Sequence, residues 1–176
     1  MPNVDTLETL FVEELRDILD AERRLTQALP KVISATTDEE LESALTTHLA
    51  ETEVHVTRLE EALESMAQPA RARSCAGMRG IIEEVQEHIG NGYSDDSLRD
   101  AQIIGGAQRV EHYEIAAYGT AIAHAQLLGL DPVVQSLKTT LEEEKAADAR
   151  LSKIAESIVN LNAAGGDAMG GTEVRR

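Results

Sequence analysis

The sequence is poor in cysteine and aromatic residues and has no long apolar run, and each absence excludes a class of protein. Cys75 is the single cysteine, so the chain can form neither an intramolecular disulfide nor a rubredoxin-type Cys-x-x-Cys iron site. Aromatic residues make up only 2% of the chain, tryptophan is absent, and Leu, Ala, Glu and Ile are abundant, which is typical of an all-α protein. No run of about 18 or more apolar residues exists, which argues against a transmembrane helix.

The first residues, MPNVDTLETL, also lack the basic and then apolar pattern of a secretory signal. We therefore expect a cytoplasmic protein that has no membrane partner. Positive charge is scarce as well, since 16 Lys and Arg stand against 32 Asp and Glu, giving a net charge of −16. Binding to a phosphate backbone needs a basic surface, so nucleic acid is not an expected partner. Most of these acids keep a helical protein soluble, but acids on apolar helix faces need another explanation.

Residues 103–125 show such an apolar face interrupted by acid. Apolar residues recur there at helical spacing, and Glu111 and Glu114 fall on the same face. Burying an ionised carboxylate is costly unless a cation or a set of hydrogen-bond donors compensates for it. Two acids three residues apart on a core-facing stripe therefore predict a compensated, functional site.

Three further segments repeat the pattern. Glu22 lies at the centre of the apolar stripe of residues 7–33, and Glu144 and Asp148 occupy the middle of the stripe of residues 137–158. In the remaining segment, leucines at each end enclose a polar middle that contains His48, Glu51, Thr52 and His55. Four amphipathic helices with acid at mid-length predict a four-helix bundle with a polar centre.

Capping and breaking residues predict the bounds of the helices. Asp5 and Thr37 resemble the first residues of capping boxes, Gln68-Pro69 ends a helix, and Asp131-Pro132 begins one. The long connection between the second and third bundle helices predicts a crossover with its own short helix. The predicted helices are 5–35, 37–66, 81–89, 94–129 and 131–162; the bundle domain is 1–162 with a crossover at 67–96, and 163–176 is expected to be a disordered tail.

Convergence of the acids from four helices predicts a metal site. At about 6 Å and an effective dielectric constant of about 20, each pair of carboxylates repels by about 3 kcal/mol. Two divalent iron or manganese ions would remove most of that repulsion, because bridging carboxylates are natural ligands for both metals. The candidate metal ligands are Glu22, Glu51, Glu111, Glu114, Glu144 and Asp148.

Several alternatives remain open at this point. Glu111 and Asp148 could instead pair with Arg109 or Arg150, and Glu143 competes with Glu144, because a helix phase inferred from sequence is uncertain by about a residue. His48 and His55 are expected to form hydrogen bonds within or beside the polar layer rather than to bind metal. For Tyr118, ordinary packing is favoured over a hydrogen bond to a ligand carboxylate.

Four segments, Asp20–Leu25, His48–Thr52, Val110–Gly119 and Leu141–Asp148, resemble the YciE/YciF family of bacterial stress-associated proteins. The resemblance extends from about Thr6 to Asn162. It implies a ferritin-like four-helix bundle, a homodimer and a di-metal site similar to that of rubrerythrins, in which Glu111 and Glu114 match paired glutamates of the third bundle helix. The usual Glu-x-x-His motif is absent, which leaves the ligands from the second and fourth bundle helices undefined.

The resulting functional hypothesis is a di-iron or di-manganese protein of the stress response that reacts with peroxide or dioxygen. Whether it is an enzyme, peroxidase-like or catalase-like, stays open. Peroxidase turnover would need an external electron donor, because the chain has no cysteines for a second iron centre. The alternative is a non-catalytic bundle that buffers metal, serves a structural role or binds a partner protein.

Overall fold

The computed structural model describes residues 4–165, and the fold is all-α, as predicted. No strand occurs within these residues. The helices are α1 (Leu7–Ala35), α2 (Glu39–Ser65), α3 (Ala76–Gly90), α4 (Asp96–Leu127), α5 (Asp131–Ile154) and α6 (Asn160–Ala163), with a π-helical turn (Ala155–Val159) between α5 and α6. Residues 163–176 were predicted to form a disordered tail, and residues 166–176 of it lie outside the described part of the chain.

The first two helices each begin two residues later than predicted, because different side chains cap them. The hydroxyl of Thr6, not Asp5, accepts a hydrogen bond from the Thr9 N–H at 3.1 Å, and Asp38 accepts one from the Leu41 N–H at 2.9 Å. These side chains satisfy amide groups that have no partner in the first helical turn. Helix α4 is also linked to the short turn between α1 and α2. The buried Asp100 carboxylate accepts hydrogen bonds from the backbone N–H groups of Thr37 and Asp38.

The bundle consists of two helical hairpins that pack face to face. Short connections join α1 to α2 and α4 to α5, while α1 packs on α4 and α2 packs on α5. The apolar core is divided into two clusters, one toward each end of the bundle. The first cluster includes Leu25, Leu45 and Ile103, and the second includes Phe11, Leu59 and Leu137. The buried acids lie between these clusters.

Helix α3 covers α1 and α4 and begins five residues earlier than predicted. The Cys75 thiol lies 3.5 Å from the Met78 N–H at its first turn. Two glycines allow α3 to approach α4 closely: a Cβ at Gly106 would lie 2.5 Å from a Val85 methyl, and one at Gly77 would lie 2.7 Å from the Tyr113 ring. Gly106 therefore allows α3 to lie against α4 at this point.

None of the described helices combines the length and the apolar character that crossing a lipid bilayer would require.

Candidate metal centre

A layer of buried polar side chains separates the two apolar clusters, and every bundle helix contributes to it. Its members are each 5% exposed or less, which is rare for ionisable residues. Helix α1 provides one, α2 provides three, α4 provides two and α5 provides one: Glu22, His48, Thr52, His55, Glu111, Glu114 and Glu144.

The side chains on α2 follow directly from its apolar stripe. His48, Thr52 and His55 continue the spacing of Leu41 and Leu45, so they lie on the face that turns toward the core. Glu51 lies about 100° around the helix from Thr52, at the edge of that face, and is only partly buried. The leucine stripe, continued through the middle of the helix, is the sequence signal that places both histidines on the core-facing side.

Ligand atoms converge into two groups, counted over residues 4–165. In the first, His48, Glu111, Glu114 and Glu144 each offer an atom within 4.8 Å of the others, and Nε2 of His48 lies 3.4 Å from Oε1 of Glu111. In the second group, Nδ1 of His55 lies 3.0 Å from Oε1 of Glu144 and 3.5 Å from Oε1 of Glu22. Glu144 belongs to both groups, so its carboxylate lies where it could bridge two cations.

Most ligand atoms in the layer lack a hydrogen-bond partner. Among residues 4–165, ten buried side-chain N or O atoms have no hydrogen bond, and all except Nε of Arg16 belong to this layer. Both carboxylate oxygens of Glu114 and of Glu144, and both ring nitrogens of His48, are among them. Buried polar atoms are nearly always satisfied in folded proteins, so such a concentration is typical of a site that receives a ligand.

The electrostatics of the first group favour neutral carboxyl groups when no cation is present. Burial, followed by the charge of Glu144, raises the pKa of Glu111 well above the ordinary value. Burial and the nearby charges of Glu22, Glu144 and Glu111 do the same to the pKa of Glu114. The pKa of His48 is lowered, chiefly by its own burial. Nothing within this group supplies the positive charge that would stabilise its carboxylates.

The second group contains its own cation. Burial lowers the pKa of His55, but the adjacent carboxylates of Glu144 and Glu22 outweigh burial and raise that pKa to about 10. Burial raises the pKa of Glu144, yet contact with the protonated His55 leaves that pKa lowered overall. For Glu22 burial prevails and its pKa is raised.

Residues outside the layer hold the second group in place. Nε2 of His55 lies 2.9 Å from Oε2 of Glu143, and the Arg58 guanidinium donates hydrogen bonds to the same carboxylate. The pKa of Glu143 is lowered, chiefly by its hydrogen bonds with Arg58 and then by its contact with His55, which together outweigh partial burial. Tyr118 donates a hydrogen bond to Glu22, so the expectation that Tyr118 would only pack is wrong.

The structure brings together four of the six predicted ligands: Glu22, Glu111, Glu114 and Glu144. Glu51 and Asp148 lie outside both groups. Glu51 is only partly buried, and Asp148 accepts a hydrogen bond from the Gln108 amide at 3.1 Å. Their role as ligands stays a prediction.

The donor set fits a first-row transition metal. Four glutamates and two histidines supply carboxylate oxygens and imidazole nitrogens, which are the donors that iron, manganese and zinc take in proteins. One ring nitrogen of His55 contacts Glu143, which leaves the other directed into the group; metal-binding histidines are commonly oriented in this way. The layer therefore contains buried His and Glu groups that could hold metal ions.

Comparisons with known proteins agree with the sequence-based resemblance. Protein YciF of Escherichia coli is 41% identical over 162 residues, which cover 92% of this chain and 97% of that protein. The crystal structure of the E. coli stress protein YciF superposes with a TM-score of 0.84 at 41% identity, covering 89% of this chain and 98% of the other. A protein of Rhodopseudomonas palustris, described as YcfI, a putative structural protein, gives a TM-score of 0.84 at 42% identity, covering 87% and 97%.

A protein of Xanthomonas campestris shares the fold. It superposes with a TM-score of 0.70 at 19% identity, covering 90% of this chain and 97% of the other. Residues 6–164 match the family described as domain of unknown function DUF892. The similarity to YciF over nearly its whole length confirms the predicted resemblance. The chain belongs to the DUF892 family, together with the YciF proteins.

Proposed function

We propose that this protein binds two divalent iron or manganese ions side by side in the buried polar layer, with the carboxylate of Glu144 shared between them. The observation that carries the proposal is the convergence of nine buried ligand atoms that form no hydrogen bond, although two of them, His55 Nδ1 and Glu144 Oε1, form an ion pair at 3.0 Å. Each unsatisfied buried polar group costs about 1–3 kcal/mol, and a cation coordinated by these atoms would offset that cost. It would also stabilise the ionised forms of Glu111 and Glu114, which burial and nearby carboxylates disfavour in the metal-free protein.

The proposed role is in the response to stress, through reaction of the metal centre with dioxygen or peroxide. Support for the stress role comes from the YciF relative, which is described as a stress protein. Bound iron or manganese would supply one-electron redox chemistry. The chain's own residues exclude water with two apolar clusters and orient His55 through Glu143. The Tyr118 hydroxyl keeps its proton and donates a hydrogen bond to Glu22.

The metal content of protein purified without chelators tests the proposal. We expect about two iron or manganese atoms per chain, with Glu114→Gln reducing that content and Glu142→Gln leaving it unchanged. Glu142 is the matched control because it is exposed and pairs with Lys145 at 2.8 Å, away from the polar layer. Purified protein that carries no transition metal and gains no thermal stability from added Fe²⁺ or Mn²⁺ would contradict the proposal.

A second candidate function is a non-catalytic bundle that buffers metal or serves a structural role. The R. palustris relative, described as a putative structural protein, favours it. Loss of hydrogen peroxide without added reductant would support a catalase-like activity, and loss only with an electron donor would support a peroxidase. A metal-loaded protein that consumes no oxidant under either condition would support the non-catalytic function.

We also propose that the protein is a cytoplasmic homodimer. Nucleic acid is not a proposed partner of this assembly, since the net charge of each chain is −16. A native mass measurement tests the dimer directly, and a mass of one chain would contradict it.

A further inference from the structure

An apolar cavity of about 30 Å³ lies beneath α3 and reaches the metal centre. Its floor includes His48 and Glu111, which belong to the first ligand group. Its remaining walls are almost wholly apolar and come from α1, α2, α3 and α4; the residues used below are Ala28, Leu29, Ile82, Val85, Ile103 and Ala107. The other apolar cluster of the bundle provides a comparison, because Ile122 and Val133 there are 7% and 6% exposed, close to Leu29 and Val85, and do not line this cavity.

The cavity is separated from the surface by very few side chains. A groove of about 260 Å³ runs between α1 and α3 on the outside of the bundle. Ala28, Ile82 and Gln86 line both the groove and the cavity. Because alanine is small, the side chains of Ile82 and Gln86 form most of the barrier between solvent and the apolar space.

We propose that this cavity is a binding site and access route for dioxygen, a small uncharged molecule, and that Ile82 and Gln86 form its gate. The role proposed for the cavity rests on the proposed metal centre, whereas its volume and lining belong to the protein alone. Apolar cavities remain dry and bind apolar molecules, since water would lose hydrogen bonds on entering them. Hydrogen peroxide faces the same penalty, so the apolar walls favour dioxygen over peroxide on this route.

The charges at the outer groove argue that metal ions do not enter here. Arg24, Lys31 and Arg79 line it together with Glu83. Arg24 pairs with Asp20 and Arg79 pairs with Glu83, so the remaining charge at the groove is the positive charge of Lys31, in a chain whose net charge is −16. This positive charge repels cations while leaving a neutral molecule unaffected, and a cation would also lose its hydration in the apolar space beyond.

Nuclear magnetic resonance of the metal-free protein under dioxygen pressure tests the site without any contribution from a metal. Dissolved dioxygen is paramagnetic, so it shortens the relaxation times of methyl groups that it contacts. We expect a larger effect on Leu29, Val85 and Ile103 than on Ile122 and Val133, which are similarly exposed. Ala107→Leu, which fills the cavity, should abolish the difference, and equal relaxation in both clusters of the unmodified protein would overturn the proposal.

The gate is tested by a pair of adjacent truncations. Ile82→Ala should increase the dioxygen effect on the cavity methyls, because Ile82 separates the cavity from the groove. Ile81→Ala is the matched control, since Ile81 packs against the same apolar cluster without lining the cavity. An equal increase in both variants would mean that general loosening of α3 admits dioxygen, and it would overturn the gate.

Oxidation of bound ferrous ions links the cavity to the proposed function. Each Fe²⁺ loses one electron, and two electrons with two protons convert one dioxygen to hydrogen peroxide. Ala107→Leu should slow this reaction by roughly tenfold while changing direct oxidation by added hydrogen peroxide far less. Equal slowing of both reactions would contradict selective access. Failure to bind Fe²⁺ would refute the metal centre instead, and the relaxation experiment would still decide the cavity.

Discussion

The two ligand groups of the polar layer share Glu144 but differ in how their charge is compensated. Around His55 and Glu22, a protonated imidazole, the Tyr118 hydroxyl and the Glu143–Arg58 pair stabilise the carboxylates. Around His48 and Glu111, the protein supplies neither a cation nor a complete set of donors. The difference indicates that the first group depends on an external cation, whereas the second is already held in a defined geometry by the protein itself.

The shared ligand gives the largest expected effect. Glu144→Gln should remove both ions, because this carboxylate belongs to each group. The gain in the free energy of unfolding from Mn²⁺, about 3 kcal/mol when free metal is about a hundred times Kd, should disappear. Thermal unfolding with and without Mn²⁺, together with elemental analysis, measures both quantities. If the variant retains two ions, Glu144 is not the shared ligand.

Glu114→Gln should separate the two groups. Glu114 belongs only to the first group, so we expect loss of one ion and retention of the other. The metal-free variant should be at least as stable as the original protein at neutral pH, because the amide replaces a buried carboxyl group that has no partner. Metal titration by calorimetry and urea unfolding test this, and a large loss of metal-free stability would show that Glu114 has a structural role.

The pH dependence of the metal-free protein tests the lack of compensation. The pKa values of Glu111 and Glu114 are raised by burial and by nearby carboxylates, so the folded state retains protons that the unfolded state has released. Their stabilising contribution is complete below the ordinary glutamate pKa of 4.5 and is lost as the pH rises toward the folded-state pKa. The lowered pKa of His48 opposes this trend below pH 6.5.

Glu114→Gln isolates the carboxyl contribution, because it leaves His48 unchanged. Urea unfolding of chelator-treated protein should show a smaller decline in stability with rising pH for the variant than for the original chain. In excess Mn²⁺ the trend of the original chain should reverse, since ligands must release protons to bind metal. Identical pH profiles for the two metal-free proteins would contradict the assigned pKa direction.

Removing the support of the second group should have a smaller effect. Glu143→Gln takes away the carboxylate that orients His55, and loss of such a partner typically weakens metal binding by about tenfold to a hundredfold. Both ions should still bind at high concentration. Glu142→Gln, one residue earlier on α5, is the control. Equal affinities in these two variants would mean that Glu143 does not position His55.

The smallest effects are expected for the two predicted ligands that lie outside both groups. Glu51→Gln and Asp148→Asn should leave the number of bound ions unchanged, because neither residue joins the converging ligand atoms. Metal titration of each variant measures this. Loss of an ion in either variant would restore that residue to the ligand set and would require the layer to rearrange when metal binds.

Local sequence pattern predicted four acids on three helices correctly as buried residues, whereas Asp148, predicted on the same stripe as Glu144, is only partly buried. Glu22, Glu111, Glu114 and Glu144 lie on stripes that face the core, and all are almost fully buried. On α2 the pattern was harder to use, because the polar middle hid the leucine stripe and a phase error of one residue exchanges Glu51 for Thr52. The partnership of Glu143 with Arg58 spans two helices, so no local pattern contains it.

The sequence by itself determined that four helices would form and that each would bury polar residues at mid-length, because helical periodicity depends only on neighbours along the chain. Only the tertiary structure decided which ligand atoms meet, that Glu144 is common to both groups, and that α3 covers a cavity beside them. The reason is that these features depend on the rotation and separation of packed helices. Both are set by contacts between residues far apart in sequence, such as Val85 against Gly106.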